Sequence, residues 1–221
     1  MTEHDLKYQK KLGVSGLLWW VGAVFIIQAV SISVQAAGDF DNPRRLVSVA
    51  TDQLVTSLQH HSETITTDTQ LAHQIADDAV IRHVDFGKVS RLVLGKHWRR
   101  ASLAQRSRFG DEFRKYLTRV YVSAMIVYSE DIVSHADAID YLSVRYTENG
   151  TAAVVRSRLS LRTGQDVAVD YRLHKNDDAW KIFDVIIEGV SLVTTYRSSI
   201  AAEIAQNGLD NVINALAQKT Q

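Results

Sequence analysis

Residues 139–158, IDYLSVRYTENGTAAVVRSR, decide the fold of this chain, because they read as two strands joined by a tight turn. Asn149-Gly150 lies at the centre, and this dipeptide is a strong signal for a two-residue type I′ hairpin. Such a turn predicts an antiparallel pair that is apolar on one face and mostly polar on the other. The predicted cross-strand pairs on the apolar face are Tyr146 with Ala153, Val144 with Val155, and Leu142 with Ser157.

Two further segments extend this hairpin into a larger sheet. Residues 167–173 alternate apolar and polar side chains, which is the period of a strand with one buried face. After the turn signal at residues 176–178, residues 180–187 are apolar on both faces. The sequence therefore predicts a four-stranded antiparallel meander.

Helical periodicity surrounds the predicted sheet on both sides. Pro43 can begin a first helix, Gly95 can end a shorter one, and Ser102 forms a capping-box pattern with Gln105 at the start of the longest. Helical patterns resume after the sheet and break at Asn207-Gly208. The apolar stripe of the longest helix consists of Phe109, Phe113, Leu117, Val120, Tyr121, Ala124 and Tyr128. We predict one α+β domain, with N-terminal helices, a four-stranded antiparallel twisted sheet, and C-terminal helices packed on one sheet face.

Residues 1–36 are predicted to be a secretory signal peptide that precedes this domain. Three lysines lead into an uncharged run over residues 12–38, which ends in small residues suited to cleavage after Ala36 or Ala37. The run is also long enough to span a bilayer, so an uncleaved membrane anchor is the alternative. Both interpretations place the single domain at residues 37–221 on the far side of the membrane.

The composition argues against several classes of function. The 221 residues include 25 Lys+Arg and 25 Asp+Glu, so the chain lacks the basic excess typical of nucleic-acid-binding domains. The absence of cysteine excludes disulfides, thiolate zinc sites, cysteine nucleophiles and cysteine-linked lipid anchors. The sequence also contains no phosphate-binding loop, dinucleotide fingerprint or nucleophile elbow.

Two sets of polar residues leave other chemistry open. The first has metal-ligand side chains at helical spacing, although solvated surface residues explain the same pattern more simply: His73, Asp77, Asp78 and His83. The second is Asp170 and His174 on one face of the third strand, which Asp184 on the next strand could approach. A carboxylate in an apolar pocket could perform acid–base chemistry there. Neither set is specific enough to predict a metal site or a catalytic residue.

Several stretches of the chain resemble the MlaC or toluene-tolerance family of periplasmic phospholipid-binding proteins. They occur in the family's order, and the resemblance extends over about residues 46–217. They are LGKHW at 94–98, ASLAQR at 101–106, FRKYL at 113–117, WKIFDV at 180–185 and EGVSLVTTYR at 188–197. Leu103 departs from the pattern, because family members often have proline at this first helical position.

This resemblance implies a periplasmic carrier that has no catalytic activity, no cofactor and no metal, and that holds a phospholipid as cargo. The lipid would lie in an apolar cavity between the sheet and the helices. The resemblance further implies a monomer that does not bind nucleic acid. It would shuttle lipid between an outer-membrane lipoprotein–porin complex and the inner-membrane ring protein of an ABC transporter, which maintains outer-membrane lipid asymmetry.

The candidate lipid contacts are apolar residues of the longest helix and of the sheet. They are Leu117, Tyr121, Val144, Val155, Val167, Val169, Tyr171, Val185 and Val190. Tyr121 and Val190 are the most prominent, since the first lies in the middle of the helical stripe and the second follows the last predicted strand. Two alternatives remain open, namely an envelope interaction module on an uncleaved anchor and a small-molecule enzyme on a cone-shaped α+β fold.

Overall fold

The computed structural model contains eight helices and a five-stranded sheet, and it describes residues 42–161, 164–177 and 179–219. The chain divides into two units, Met1–Gly38 and Asp39–Gln221. Every described element, together with its apolar core, belongs to the second unit. The predicted signal peptide lies outside the described residues. Within the described ranges, no helix combines the length and the apolar character that crossing a membrane requires.

The elements follow the predicted order of helices, sheet and helices. The helices before the sheet are α1 (Pro43–His60), α2 (Thr69–Ala79), α3 (Phe86–Leu94), α4 (Lys96–Arg100), α5 (Leu103–Val127) and α6 (Ser129–Ser134). The strands are β1 (Ile139–Tyr146), β2 (Ala152–Ser160), β3 (Asp166–Asn176), β4 (Ala179–Ile187) and β5 (Val190–Ser191). The chain continues with α7 (Leu192–Asn207) and α8 (Leu209–Gln218). The strands pair as an antiparallel meander in sequence order, which confirms the predicted α+β class and adds a two-residue fifth strand.

The β1–β2 register matches the sequence analysis only on one side of a bulge. Tyr146 pairs with Ala153 and Val144 with Val155, as predicted. Between Tyr141 and Ser143 the register shifts by one residue, so that Tyr141, and not Leu142, lies opposite Ser157. The predicted Leu142–Ser157 pair is therefore wrong. The extra residue of a bulge has no partner in the ladder, and Leu142 is exposed.

The turn between these strands also differs from the predicted type I′ turn. Among the described non-glycine residues, only Asp177 and Glu188 have positive φ, so Asn149 is not left-handed. Gly150 has φ of 65° and donates its N–H to Thr147 O at 2.9 Å. The Asn149 side chain instead accepts hydrogen bonds from the Thr151 N–H and from neighbouring threonine hydroxyls. Side-chain hydrogen bonds thus stabilise a loop longer than the predicted two-residue turn, and the strands next to it keep the predicted pairing.

The predicted helix boundaries are confirmed by capping interactions. Asn42 accepts from the Arg44 N–H at the start of α1, and Gly95 ends α3 with a positive φ that glycine adopts without strain. Ser102 and Gln105 form both hydrogen bonds of a capping box at the start of α5. The first four orphan N–H groups of the longest helix are therefore partly satisfied by its own sequence.

The apolar core has three clusters, and α5 contributes to two of them. Phe109, Phe113 and Leu117 pack against α3, α7 and α8. Further along α5, Val122 and Met125 pack with α1 and α2 in a second cluster. The third cluster joins α1 to the sheet. The predicted α5 stripe is buried as far as Leu117. Beyond it Val120 and Tyr128 are exposed and Tyr121 is partly exposed, because the buried side of the helix rotates toward α1 and α2.

Candidate functional site

An apolar pocket of about 300 Å³ lies between β4 and the helices α3, α5 and α7. Its lining is almost entirely aliphatic and aromatic, and Asp184 is the one ionisable acid in it. The lining residues are Val80, Ile81, Val84, Phe86, Val89, Leu117, Tyr121, Ile182, Phe183, Asp184, Val185, Ile187, Leu192, Val193 and Tyr196. A concave apolar site of this size is the usual form of a small-ligand site in a protein.

Helical spacing explains how α3 and α5 contribute to the pocket wall. Leu117 and Tyr121 are four residues apart on α5, and Phe86 and Val89 are three apart on α3, so each pair shares one face of its helix. On the sheet side, β4 is apolar on both faces, as the sequence predicts. A register shift between β3 and β4 accompanies Phe183, which packs against the helical cluster.

Two of the lining residues are tyrosines, Tyr121 of α5 and Tyr196 of α7. Tyr196 packs edge-on against Phe113 at 5.4 Å and against Tyr116 at 6.5 Å between ring centroids. Burial raises the pKa of the Tyr196 hydroxyl well above its ordinary value, and the neighbouring Tyr121 and Tyr116 raise it further. The Tyr196 hydroxyl is therefore neutral at physiological pH. Tyr121 is 42% exposed to solvent.

Asp184 connects β4 to the start of α7, and both of its carboxylate oxygens accept hydrogen bonds. Oδ2 accepts a hydrogen bond from Ser191 Oγ at 2.7 Å and lies 3.4 Å from Arg172 Nη1, while Oδ1 accepts from the Val193 N–H at 3.1 Å. The Val193 N–H belongs to the first turn of α7, where carboxylates are favoured by the helix dipole. This geometry gives Asp184 a structural role at the pocket wall.

The predicted polar group of Asp170, His174 and Asp184 is not held together by mutual contacts. Asp170 pairs with Arg156 at 3.7 Å. His174 donates from Nε2 to Asp85 Oδ2 at 2.8 Å, and Asp85 also caps α3. Asp170, His174 and Asp184 thus each connect a different pair of elements. They do not come together as the acid–base site that the enzyme alternative requires.

The second predicted set, on α2 and the turn after it, also lacks a metal geometry. Asp77 lies 3.7 Å from Arg114 and Asp78 lies 3.8 Å from Arg82. Burial lowers the pKa of His83, and the charges of Lys181 and Arg82 lower it further. In the described part of the chain, no group of three His, Cys, Asp or Glu residues is placed to hold a metal ion.

The nine predicted lipid contacts fall into three groups. Leu117, Tyr121 and Val185 line the pocket. Val144, Val155 and Tyr171 pack in the cluster that joins α1 to the sheet. The remaining three are Val167 and Val169, which are half-buried on β3, and Val190, which is 58% exposed on β5. Which of the nine touch lipid stays a prediction.

The sequence analysis missed most of the pocket wall. Phe86, Val89 and Tyr196 line the pocket but are not among the predicted lipid contacts. No local signal separates a pocket residue from a core residue, because both are apolar at the same helical spacing. The useful signal is the apolar pattern on both faces of β4, since its second face must be covered by helices on another part of the chain.

Known proteins share both the sequence pattern and the fold. The sequence model of the MlaC protein family matches residues 48–218. The chain is 21% identical over 208 residues to the "Intermembrane phospholipid transport system binding protein MlaC" of Haemophilus influenzae, covering 90% of this chain and 92% of that protein. It is 23% identical over 199 residues to the "Toluene tolerance protein ttg2D" of Pseudomonas putida, covering 89% and 88%.

A solved structure has the same fold. The phospholipid-binding protein from Ralstonia solanacearum, determined in complex with a phospholipid, aligns with a TM-score of 0.64 at 24% identity. The alignment covers 80% of this chain and 95% of that one. The family match spans most of the chain, including every element that forms the pocket. This chain belongs to the MlaC protein family.

Proposed function

We propose that this protein binds a phospholipid by its acyl chains and carries it between membranes. The observation that carries the proposal is the apolar pocket between β4, α3, α5 and α7, in a fold whose relatives are named for phospholipid binding and transport. The pocket offers apolar surface. It presents no assembled catalytic group, so a binding function accounts for it without a reaction.

The size of the pocket defines what it can hold in this conformation. A methylene group occupies about the same ~30 Å³ as a water molecule in the liquid, so about 300 Å³ accommodates roughly ten methylenes. That is part of one acyl chain. A lipid with two chains therefore requires the helical wall and β4 to move apart, or leaves part of its chains at the open side.

The energetics suit transport. Burying roughly ten methylenes stabilises the bound state by about 8 kcal/mol relative to water, at about 0.8 kcal/mol each. A bilayer provides nearly the same apolar environment, so exchange between pocket and bilayer is close to neutral while escape into water is strongly disfavoured. A carrier needs this combination, because it must release its cargo to a membrane and retain it between membranes.

We further propose that the protein acts as a monomer in the periplasm, exported by residues 1–36. There it would exchange phospholipid between an outer-membrane lipoprotein–porin complex and the inner-membrane ring protein of an ABC transporter. The matched "intermembrane phospholipid transport system" relative supports this setting. Fractionation of cells that express the full chain tests it: recovery in the periplasmic fraction with residues 1–36 removed is the expected result.

Native mass spectrometry tests the binding proposal directly. Residues 39–221, directed to the periplasm of a bacterial host by an added export signal and purified without detergent, are expected to carry a mass increment of a phospholipid. Tyr121→Glu places a charge at the pocket wall and is expected to remove most of the bound lipid. Val127→Glu makes the same change at an exposed position of the same helix, outside the pocket lining, and serves as the matched control.

Two outcomes would reject the proposal. A protein that carries no lipid and takes none up from vesicles is not a lipid carrier, and an interaction module then becomes the better interpretation. Equal loss of lipid in both variants would move the binding site away from this pocket. Circular dichroism of each variant establishes that the fold is retained.

A further inference from the structure

Positive charge is concentrated in one segment of this electrically balanced chain. Residues 86–110 contain no aspartate or glutamate, although they contain seven basic residues: Lys88, Arg91, Lys96, Arg99, Arg100, Arg106 and Arg108. None of the seven forms an ion pair with a carboxylate in the part of the chain that the structure describes. The charge of this segment is therefore not neutralised locally.

Three of these cations share one face of α4. Lys96, Arg99 and Arg100 are related as positions i, i+3 and i+4, which places them side by side on a helix, and all three are exposed. Trp98 lies on the other side and packs against the core. The exposed face of α4 is thus a compact cluster of three mobile cationic side chains.

Arg106 fixes this face relative to α5. Its Nε donates to Trp98 O at 2.9 Å, and its guanidinium lies 5.3 Å from the centre of the Trp98 ring. The carbonyl group at the end of α4 is therefore held by a side chain from the first turns of α5. The short helix is a rigid corner, although five residues alone would not form a stable helix.

A large apolar side chain projects beside the cations. Leu103 is the first residue of α5, three positions after Arg100, and it is 81% exposed. Asp210 of α8 lies near the start of α5 and accepts a hydrogen bond from Gln105 Nε2 at 2.9 Å. We use the name α4–α5 corner for Lys96, Arg99, Arg100 and Leu103.

We propose that the α4–α5 corner docks on the surface of a bilayer that contains anionic phospholipids. Cations near such a surface are attracted to its headgroups, and an exposed leucine can enter the boundary between headgroups and acyl chains. A fluid surface accommodates cations at any spacing. A single leucine among flexible cations offers no groove in which a protein helix or strand could pack, so the charge pattern favours a bilayer over an acidic protein.

This surface is separate from the lipid pocket and goes beyond the proposed carrier function. Leu103 and Leu117 are fourteen residues apart on the same helix, which corresponds to about 21 Å along its axis. Docking at the corner would hold the protein at a membrane without occupying the pocket. Vesicle binding through the α4–α5 corner is therefore expected whether or not the pocket binds lipid.

Vesicle co-sedimentation of residues 39–221 tests the proposal. The protein is expected to bind vesicles of phosphatidylglycerol and phosphatidylethanolamine in equal parts, to bind vesicles of phosphatidylcholine weakly, and to dissociate at high salt as charges are screened. The triple variant Lys96→Gln, Arg99→Gln, Arg100→Gln is expected to lose about a hundredfold in partition coefficient, since each cation contributes about fivefold. Leu103→Ala is expected to lose about tenfold without loss of thermal stability, because alanine suits an exposed helical position.

A matched triple variant separates a docking surface from an effect of net charge. Arg45→Gln, Arg145→Gln and Lys175→Gln remove the same charge from exposed positions on α1, β1 and β3. This control is expected to bind like the unmodified protein. The proposal is overturned if anionic vesicles are not bound, if the two triple variants lose equally, or if Leu103→Ala binds as tightly as the unmodified protein.

Discussion

Asp184 shows how a single carboxylate joins two elements at the edge of the pocket. Its side chain is 2% exposed and accepts hydrogen bonds from Ser191 Oγ and the Val193 N–H, beside the Arg172 guanidinium. A buried carboxylate of this kind is stable only while its partners are present. We infer that its role is to hold the first turn of α7 against β4.

Replacement of Asp184 by asparagine is therefore expected to destabilise the fold. Asp184→Asn removes the charge and one acceptor, which should lower the free energy of unfolding by about 3 kcal/mol in urea denaturation. Asp170→Asn is the control, since Asp170 pairs with Arg156 at the surface, and a loss below about 1 kcal/mol is expected. Similar losses in the two variants would contradict the anchoring role of Asp184.

The buried hydroxyl of Tyr171 leads us to expect a loss of stability at alkaline pH. Burial, with a smaller contribution from the nearby Tyr141, raises the pKa of its hydroxyl to about 12 against the opposing effect of a hydrogen bond with Ser157. The unfolded chain ionises near pH 10. In the interval between these values the folded state binds more protons, so stability is fully present below about pH 10 and falls as the pH rises toward about 12.

Tyr171→Phe tests this interpretation, because phenylalanine has no hydroxyl to titrate. Guanidinium denaturation near pH 8 and near pH 11 should show a smaller alkaline loss in the variant, by about 1 kcal/mol. Tyr196→Phe provides a second comparison, since the pKa of Tyr196 is also raised by burial. An unchanged pH dependence in Tyr171→Phe would show that other groups cause the alkaline transition.

At the scale of the elements, the capping box of α5 is predicted from the sequence and is present in the fold. Ser102→Ala removes the Ser102 Oγ that accepts the Gln105 N–H at 3.2 Å, and should lower the free energy of unfolding by about 1 kcal/mol. Ser107→Ala changes an exposed position within α5 and should leave stability within about 0.5 kcal/mol. An equal effect of both substitutions would mean that the cap adds nothing to this helix.

Elements whose signals are local were predictable from the sequence. The start of α1 at Pro43, the capping box of α5 and the end of α3 at Gly95 each depend on the residues within one helical turn. The bulge at Leu142 was not predictable, because it depends on which side chains the sheet buries against α1. The rotation of the buried side of α5 after Leu117 has the same origin, since α1 and α2 cover only its second half.

At the scale of the whole molecule, the pocket is assembled from segments far apart in the sequence. Phe86, Leu117, Val185 and Tyr196 come from four different elements. Periodicity predicts apolar faces on single elements, but it does not tell which faces meet and leave a space between them. The resemblance to a lipid-binding family supplied the expectation of a cavity, and the structure supplied its position.

A comparison of a lipid that has one acyl chain with a lipid that has two tests how the pocket responds to its cargo. The pocket accommodates roughly ten methylenes as it stands, so a lysophospholipid should bind without a large rearrangement. A diacyl phospholipid should load more slowly, because α5 and α7 must move away from β4. Once loaded, it should raise the Tm more, since it buries more apolar surface and binds only the folded state.

Stopped-flow fluorescence measures the loading rates, and thermal denaturation of residues 39–221 after loading measures the two values of Tm. Tyr121→Glu should weaken both effects together, because both lipids use the same wall, whereas Val127→Glu, at an exposed position outside the pocket lining, should preserve them. Equal values of Tm and equal loading rates for the two lipids would mean that the second chain stays outside the protein. In that case the pocket holds one acyl chain at a fixed volume, and the helices do not separate from the sheet during transport.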